Sequence, residues 1–185
     1  MKRLITCSIV ALAGSLAVTT ALSLAPQEST MPKPADQHKM LHKSIGTWEG
    51  TLTMFVPGQP ETPMPAHEVV EAHGPFWTAS HFACDMGGMQ FEGFGSMGYD
   101  TTKEKFIGTW IDNMSTSLTL MEGDFDKETG LLTMRWEGPD MTGKMVPNRS
   151  EGTFHEDSYE MRFFMGDEPS MTISMKRKAP EKGAK

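Results

Sequence analysis

About ten short stretches of alternating character, each closed by a tight-turn signal, constrain this chain to one antiparallel sheet. The pattern opens at Gly46-Thr47-Trp48-Glu49-Gly50-Thr51-Leu52-Thr53-Met54-Phe55. There Trp48, Gly50, Leu52 and Met54 fall on one face, and Thr47, Glu49, Thr51 and Thr53 on the other. The Gly-Thr-Trp tripeptide returns as Gly108-Thr109-Trp110 inside a later strand. Period-two segments are read over 67–73, 76–86, 89–99, 104–113, 118–125, 131–137, 146–154, 159–165 and 171–177. Turn chemistry separates them, as at Asp100-Thr101-Thr102-Lys103 and Asp126-Lys127-Glu128-Thr129-Gly130. Residues 57–66 carry too many prolines for a central strand and are read as a long loop. Hairpin order with no other long connection predicts an all-β, antiparallel up-and-down barrel of about ten strands, whose closure removes exposed strand edges. Gly93, Gly95 and Gly98 interrupt one strand and call for a bend or a close backbone approach.

Ahead of the sheet, Asp36 can cap a short segment in which Met40, Leu41 and Ile45 recur at helical spacing before Gly46. One short helix closing an end of the barrel is expected. Residues 24–37, broken by Pro26, Pro32 and Pro34, read as a linker, the barrel domain as 38–177, and 178–185 as a charged, frayed tail. Lys2-Arg3 followed by an apolar run from Leu4 to Ala25 reads as a secretory signal over residues 1–23, with cleavage after Ser23. The run is also long enough to serve as a retained anchor. An exported protein, periplasmic or extracellular and not stably inserted in a membrane after cleavage, is the expectation.

Loss of Lys2 and Arg3 moves the formal charge from −7 to −9. Such an acidic domain has no basic stripe to displace phosphate counterions, which argues against nucleic acid as a partner. Cys7 leaves with the signal, so Cys84 has no internal partner and no disulfide framework exists. With Asp85 beside it, Cys84 reads as a buried hydrophobe rather than a nucleophile.

With these segments in place, the chain resembles a known family. Gly46-Thr47-Trp48-Glu49-Gly50, Met97-Gly98-Tyr99-Asp100, Ile107-Gly108-Thr109-Trp110-Ile111-Asp112-Asn113-Met114 and Asp140-Met141-Thr142-Gly143-Lys144 look like the exported bacterial proteins called domain of unknown function 1579. The resemblance spans roughly 35–177 and implies a lipocalin-like, calycin-type barrel without naming an activity. A more distant likeness to nitrobindin-type haem barrels rests on the Gly-x-Trp-x-Gly strand after a short helix. Those barrels place a haem-ligating histidine on a late strand. Here the late histidine is His155, in Phe154-His155-Glu156-Asp157, which reads as a strand end or turn. No cofactor is expected.

Methionine is abundant, at 17 residues. Met161, Phe163 and Met165 share one strand face, as do Met171, Ile173 and Met175. Three readings follow: ordinary core filling, a pliable lining for apolar ligands, or thioether ligation of Cu(I). The methionines are spread from end to end rather than clustered with histidine, which weakens the copper reading. His38 and His42 could share a helix face and bind zinc, but no third ligand is identifiable, and an exposed polar face is the expectation. Asp124-x-Asp126-x-Glu128 reads as a hairpin turn rather than a calcium loop. No metal site is expected. No nucleophile motif or phosphate-cradling loop is present, and nothing points to a particular reaction.

Polar residues within apolar strands are the remaining leads. His81 and Asp85 lie on one face with Trp77 and Ala79, while Arg135 and Arg162 sit inside strands. The expected ligand lining is Trp48, His81, Met97, Trp110, Arg135, Met161, Phe163, Met165 and Met171, with a small apolar molecule as partner. Trp48 is also expected to meet Arg177 of the last strand in a cation–π contact that closes one end. A structural or protein-interaction module outside the membrane is the alternative, and an enzyme using His81 and Asp85 a third reading. The sequence does not set the oligomeric state.

Overall fold

A computed structural model describes residues 31–140 and 142–179 of the chain. The signal read at 1–23, residues 24–30 of the linker and residues 180–185 of the tail lie outside the described residues. Ten strands form a closed barrel in which each pairs with its sequence neighbours and the first pairs with the last. They are β1 (Gly46–Met54), β2 (Pro63–His73), β3 (Trp77–Asp85), β4 (Gln90–Asp100), β5 (Lys105–Asp112), β6 (Thr119–Asp126), β7 (Leu131–Pro139), β8 (Met145–Phe154), β9 (Ser158–Met165) and β10 (Glu168–Arg177). The all-β, up-and-down reading holds, with, among the described residues, a single short helix α1 (Asp36–Leu41) and a 3₁₀ turn (His42–Ser44) ahead of it.

The turns follow the chemistry read from the sequence. The Asp126 carboxylate accepts from Glu128 N at 2.8 Å and from the Thr129 hydroxyl at 2.8 Å, and Gly130, at φ 70°, closes the turn. Asp124 instead pairs with Lys105 at 2.6 Å. Both acids are therefore engaged in strand and turn contacts.

One boundary differs. β2 starts at Pro63, within the stretch read as loop, and Pro63 and Pro65 pair with Thr53 and Thr51 of β1. Pairing to β3 begins only at Ala66, so the two prolines sit where the strand has one neighbour and no second ladder to feed.

The end holding the 3₁₀ turn is sealed. Trp48 is 1% exposed, and its indole N–H donates to the Ser44 carbonyl at 2.8 Å. The Arg177 guanidinium lies 4.1 Å from the centroid of that ring, as the sequence predicted. It also donates to Ile45 O at 2.7 Å and Lys43 O at 2.8 Å. One side chain of the last strand thus fixes the entrance to the first. Lys178 continues the contact, its N–H on Thr47 O at 2.8 Å and its ammonium 2.8 Å from Glu49.

Helix α1 covers the same end through Leu41, which packs with Phe106, Leu132 and Met134. The expected exposed histidine face is not found. His38 is 2% exposed, set edge-on to Phe76 and Tyr99, and its Nδ1 accepts from Ala35 N at 2.9 Å. The ring has become a packed core group because it lies on the buried face of α1, three residues from Leu41.

Candidate functional site

Alternation decides which side chains enter the barrel. Inward positions include Leu52 and Met54 on β1, Phe82 on β3, Phe91 and Met97 on β4, Trp110 on β5, Met121 on β6, Met134 and Trp136 on β7, and Met161 and Phe163 on β9. Together with Met171 and Ile173 of β10 they surround a cavity of about 470 Å³. The mouth lies at the end away from Trp48, where the lining residues Met54 and Met114 are exposed. Thioethers and aromatic rings make up most of the wall.

The glycines of β4 make room for it. A Cβ on Gly93 would press into the Trp110 indole, 2.7 Å from Cη2, so the ring lies flat on bare backbone. Trp110 holds that pose through its N–H, which donates to Asp112 Oδ2 at 3.1 Å, and it stacks on Phe91 with ring centroids 6.5 Å apart.

The lining expected from the sequence divides. Met97, Trp110, Met161, Phe163 and Met171 come together around the cavity. Trp48 lies beneath it as part of the sealed end, and Met165 has the inward parity without being part of the lining. His81 and Arg135 are on the outer surface. His81 stacks on Phe94 at 4.3 Å between centroids, with Glu92 at 3.9 Å. Arg135 lies 3.8 Å from Asp124. Asp85 shares the outer face of β3 and accepts from Gly88 N at 2.6 Å in the following turn. β3 carries apolar residues on both faces, and Phe82 and Cys84 rather than Trp77 and Ala79 are the ones that point in. Cys84 is in the core, its thiol pushed up by burial and further by Asp85.

Sequence reading missed Glu68. It stands on β2 between the inward residues Ala66 and Val70, opposite Trp48 on one side and Phe82 on the other, and lines the inner part of the cavity. The Tyr159 hydroxyl donates to its Oε2. Tyr159 itself sits edge-on to Trp48 at 5.2 Å. Burial holds the Glu68 carboxyl above the ordinary glutamate value, against the hydrogen bonds from Tyr159 and Ser80. Burial, and then the Glu68 charge, push the Tyr159 phenol well above its own ordinary value. A carboxyl beside a phenol in a soft-lined chamber can accept a hydrogen bond from, or balance the charge of, a polar end on an apolar guest.

A pH dependence follows. A carboxyl whose proton is held more tightly in the folded than in the unfolded chain contributes fully below its ordinary pKa of 4.5, and that contribution is lost as pH rises through the raised value. Glu68→Gln keeps acceptor and shape without the charge. The variant is expected to melt at higher temperature than the parent at pH 8, with the gap shrinking towards pH 4. A variant that melts lower than the parent at pH 8 would show that the ionised carboxylate supports the fold.

No histidine lines the cavity among the described residues, and His155 stands in the β8–β9 turn, exposed and away from the lining. The residues present do not fit a haem bound through a protein histidine. Among the described residues no three His, Cys, Asp or Glu side chains are grouped to hold a metal ion.

The family model described as "Protein of unknown function (DUF1579)" matches residues 33–177. A solved structure, "Crystal Structure of Rv2717c from M. tuberculosis", is similar with a TM-score of 0.56 and 12% identity, covering 80% of this chain and 100% of that one. At that identity the likeness is one of fold alone. No curated protein matches the sequence.

Proposed function

Because this chain belongs to the DUF1579 family, described only as proteins of unknown function, we propose a reading from its own interior: an exported barrel that encloses a small, mainly apolar ligand. The observation that carries it is the cavity of about 470 Å³ walled by methionine and aromatic side chains. Ligand pockets of drug-sized molecules occupy roughly 300–1,000 Å³, and unbranched thioethers adapt to guests of varied shape. Export is supported by the basic start and apolar run of residues 1–23.

Decanol is a suitable neutral probe, with an alkyl body for the wall and a hydroxyl for Glu68. At roughly 0.6 kcal/mol per heavy atom it should bind with a Kd on the order of 10 µM. Calorimetry should show saturable one-to-one binding, with the fluorescence of Trp110 and Trp136 changing alongside. Neither heat nor fluorescence change up to the solubility limit of decanol would defeat the reading.

A second reading, a protein-interaction module, draws on the outer wall. Phe94, Ile111, Leu118 and Leu120 are all exposed, and Phe94 pairs with Ile111 across β4 and β5. A contiguous apolar face of this kind is a common mark of association. Concentration-dependent sedimentation would favour it.

A further inference from the structure

The charges around the cavity narrow the ligand class. Among the described residues the lining contains two carboxyl groups, Glu68 deep inside and Asp112 at the mouth, and no lysine, arginine or histidine. Asp112 is committed, since its two oxygens accept from Trp110 Nε1 at 3.1 Å and Met114 N at 2.9 Å. Glu68 is the charged group a guest would meet at full depth. The groups packed around it are Trp48 on β1, Ser80 and Phe82 on β3, and Tyr159 on β9, none of them cationic. The inward cation of β10, Arg177, is spent on the far side of Trp48. We propose that the cavity selects a cationic amphiphile, an organic ammonium whose apolar body lies on the thioether and aromatic wall and whose head reaches Glu68. This rests on the ligand-binding reading above and adds the sign of the charge.

The physics is asymmetric. A carboxylate ligand would place a second negative charge near Glu68 in a low-dielectric chamber with no lining cation to offset it. An ammonium instead gains a charge-assisted hydrogen bond to the carboxylate. Aromatic faces such as Trp110, Trp136 and Phe163 carry negative potential and attract a cation further. Burial raises the Glu68 carboxyl above its ordinary value, and an ammonium head placed beside it would offset that cost of ionisation.

Three probes of one chain length test this at pH 7 and moderate salt: decylammonium, decanol and decanoate, titrated calorimetrically into the full chain. Decylammonium should bind at least about tenfold tighter than decanol, and decanoate at least about tenfold weaker. Glu68→Gln should cut the ammonium affinity about tenfold while leaving decanol within about twofold. Glu71→Gln removes the same charge from the exposed outer face of β2 and should change neither. If decanol binds but decylammonium gains nothing over it, or if Glu71→Gln matters as much as Glu68→Gln, the charge assignment is wrong while the cavity reading stands. If no probe binds, both fall.

Discussion

Replacing Trp48 by alanine is expected to cost about 3–5 kcal/mol of folding stability, read as a shift of the urea midpoint at unchanged slope. The range is that of a large aromatic removed from a well-packed site, and this site has little freedom to collapse. Trp48 holds the Ser44 carbonyl on its indole N–H, Arg177 on one ring face and Tyr159 against its edge. Removing the ring strands an acceptor, leaves the guanidinium over a void and loosens the residue that hydrogen-bonds Glu68. The floor of the cavity should soften at the same time, so decanol binding should weaken together with stability. A loss below about 1 kcal/mol would mean that strand pairing alone closes the barrel.

Gly50→Ala should be costly for the opposite reason, adding a methyl where there is no space. Its Cβ would run into the Ser174 carbonyl oxygen and stand 2.8 Å from the Met175 Cα. Both obstacles are backbone of β10, directly across the ladder where Gly50 pairs with Met175. Strand backbone cannot swing aside as a side chain can, so β1 and β10 must part. A loss of about 3 kcal/mol is expected, at the upper end of overpacking. Amide exchange should quicken selectively in β1 and β10. At Gly93 the obstacle is the Trp110 ring, which can rotate away, so the same change there should reshape the cavity more than it unfolds the protein. Uniform exchange across all ten strands in Gly50→Ala would show that the damage is not at the seam.

Much of the architecture was legible because barrel strands and turns obey short-range rules. Alternation around Trp48, the Asp126 hairpin and the Trp48–Arg177 pairing all depend on residue type and parity, which the chain displays openly. What was hidden depends on which parity faces inward. On β2 the neighbours Val69 and Val70 are both apolar, so that pair does not say which parity turns inward with Glu68. Glu68 is therefore absent from the lining expected from the sequence. On β3 the apolar pair Trp77 and Ala79 suggested an interior that in fact lies on the other face, which carried His81 outward with them. A charged residue flanked at both i−2 and i+2 by small or branched apolar residues, as Ala66 and Val70 flank Glu68, was the signal available. The proline-bearing start of β2 was missed because the rule against proline concerns strands with two neighbours, and here there is one.

The ring has its single join between the first strand and the last, and Arg177 reaches Ile45 across 132 positions of chain. During synthesis every hairpin from β1 to β9 can form in turn, yet the growing ribbon keeps two bare sides until β10 arrives. Such an unfinished ribbon would recruit foreign strands if it lingered in a crowded compartment. A chain completed first and folded afterwards, all at once, avoids that interval.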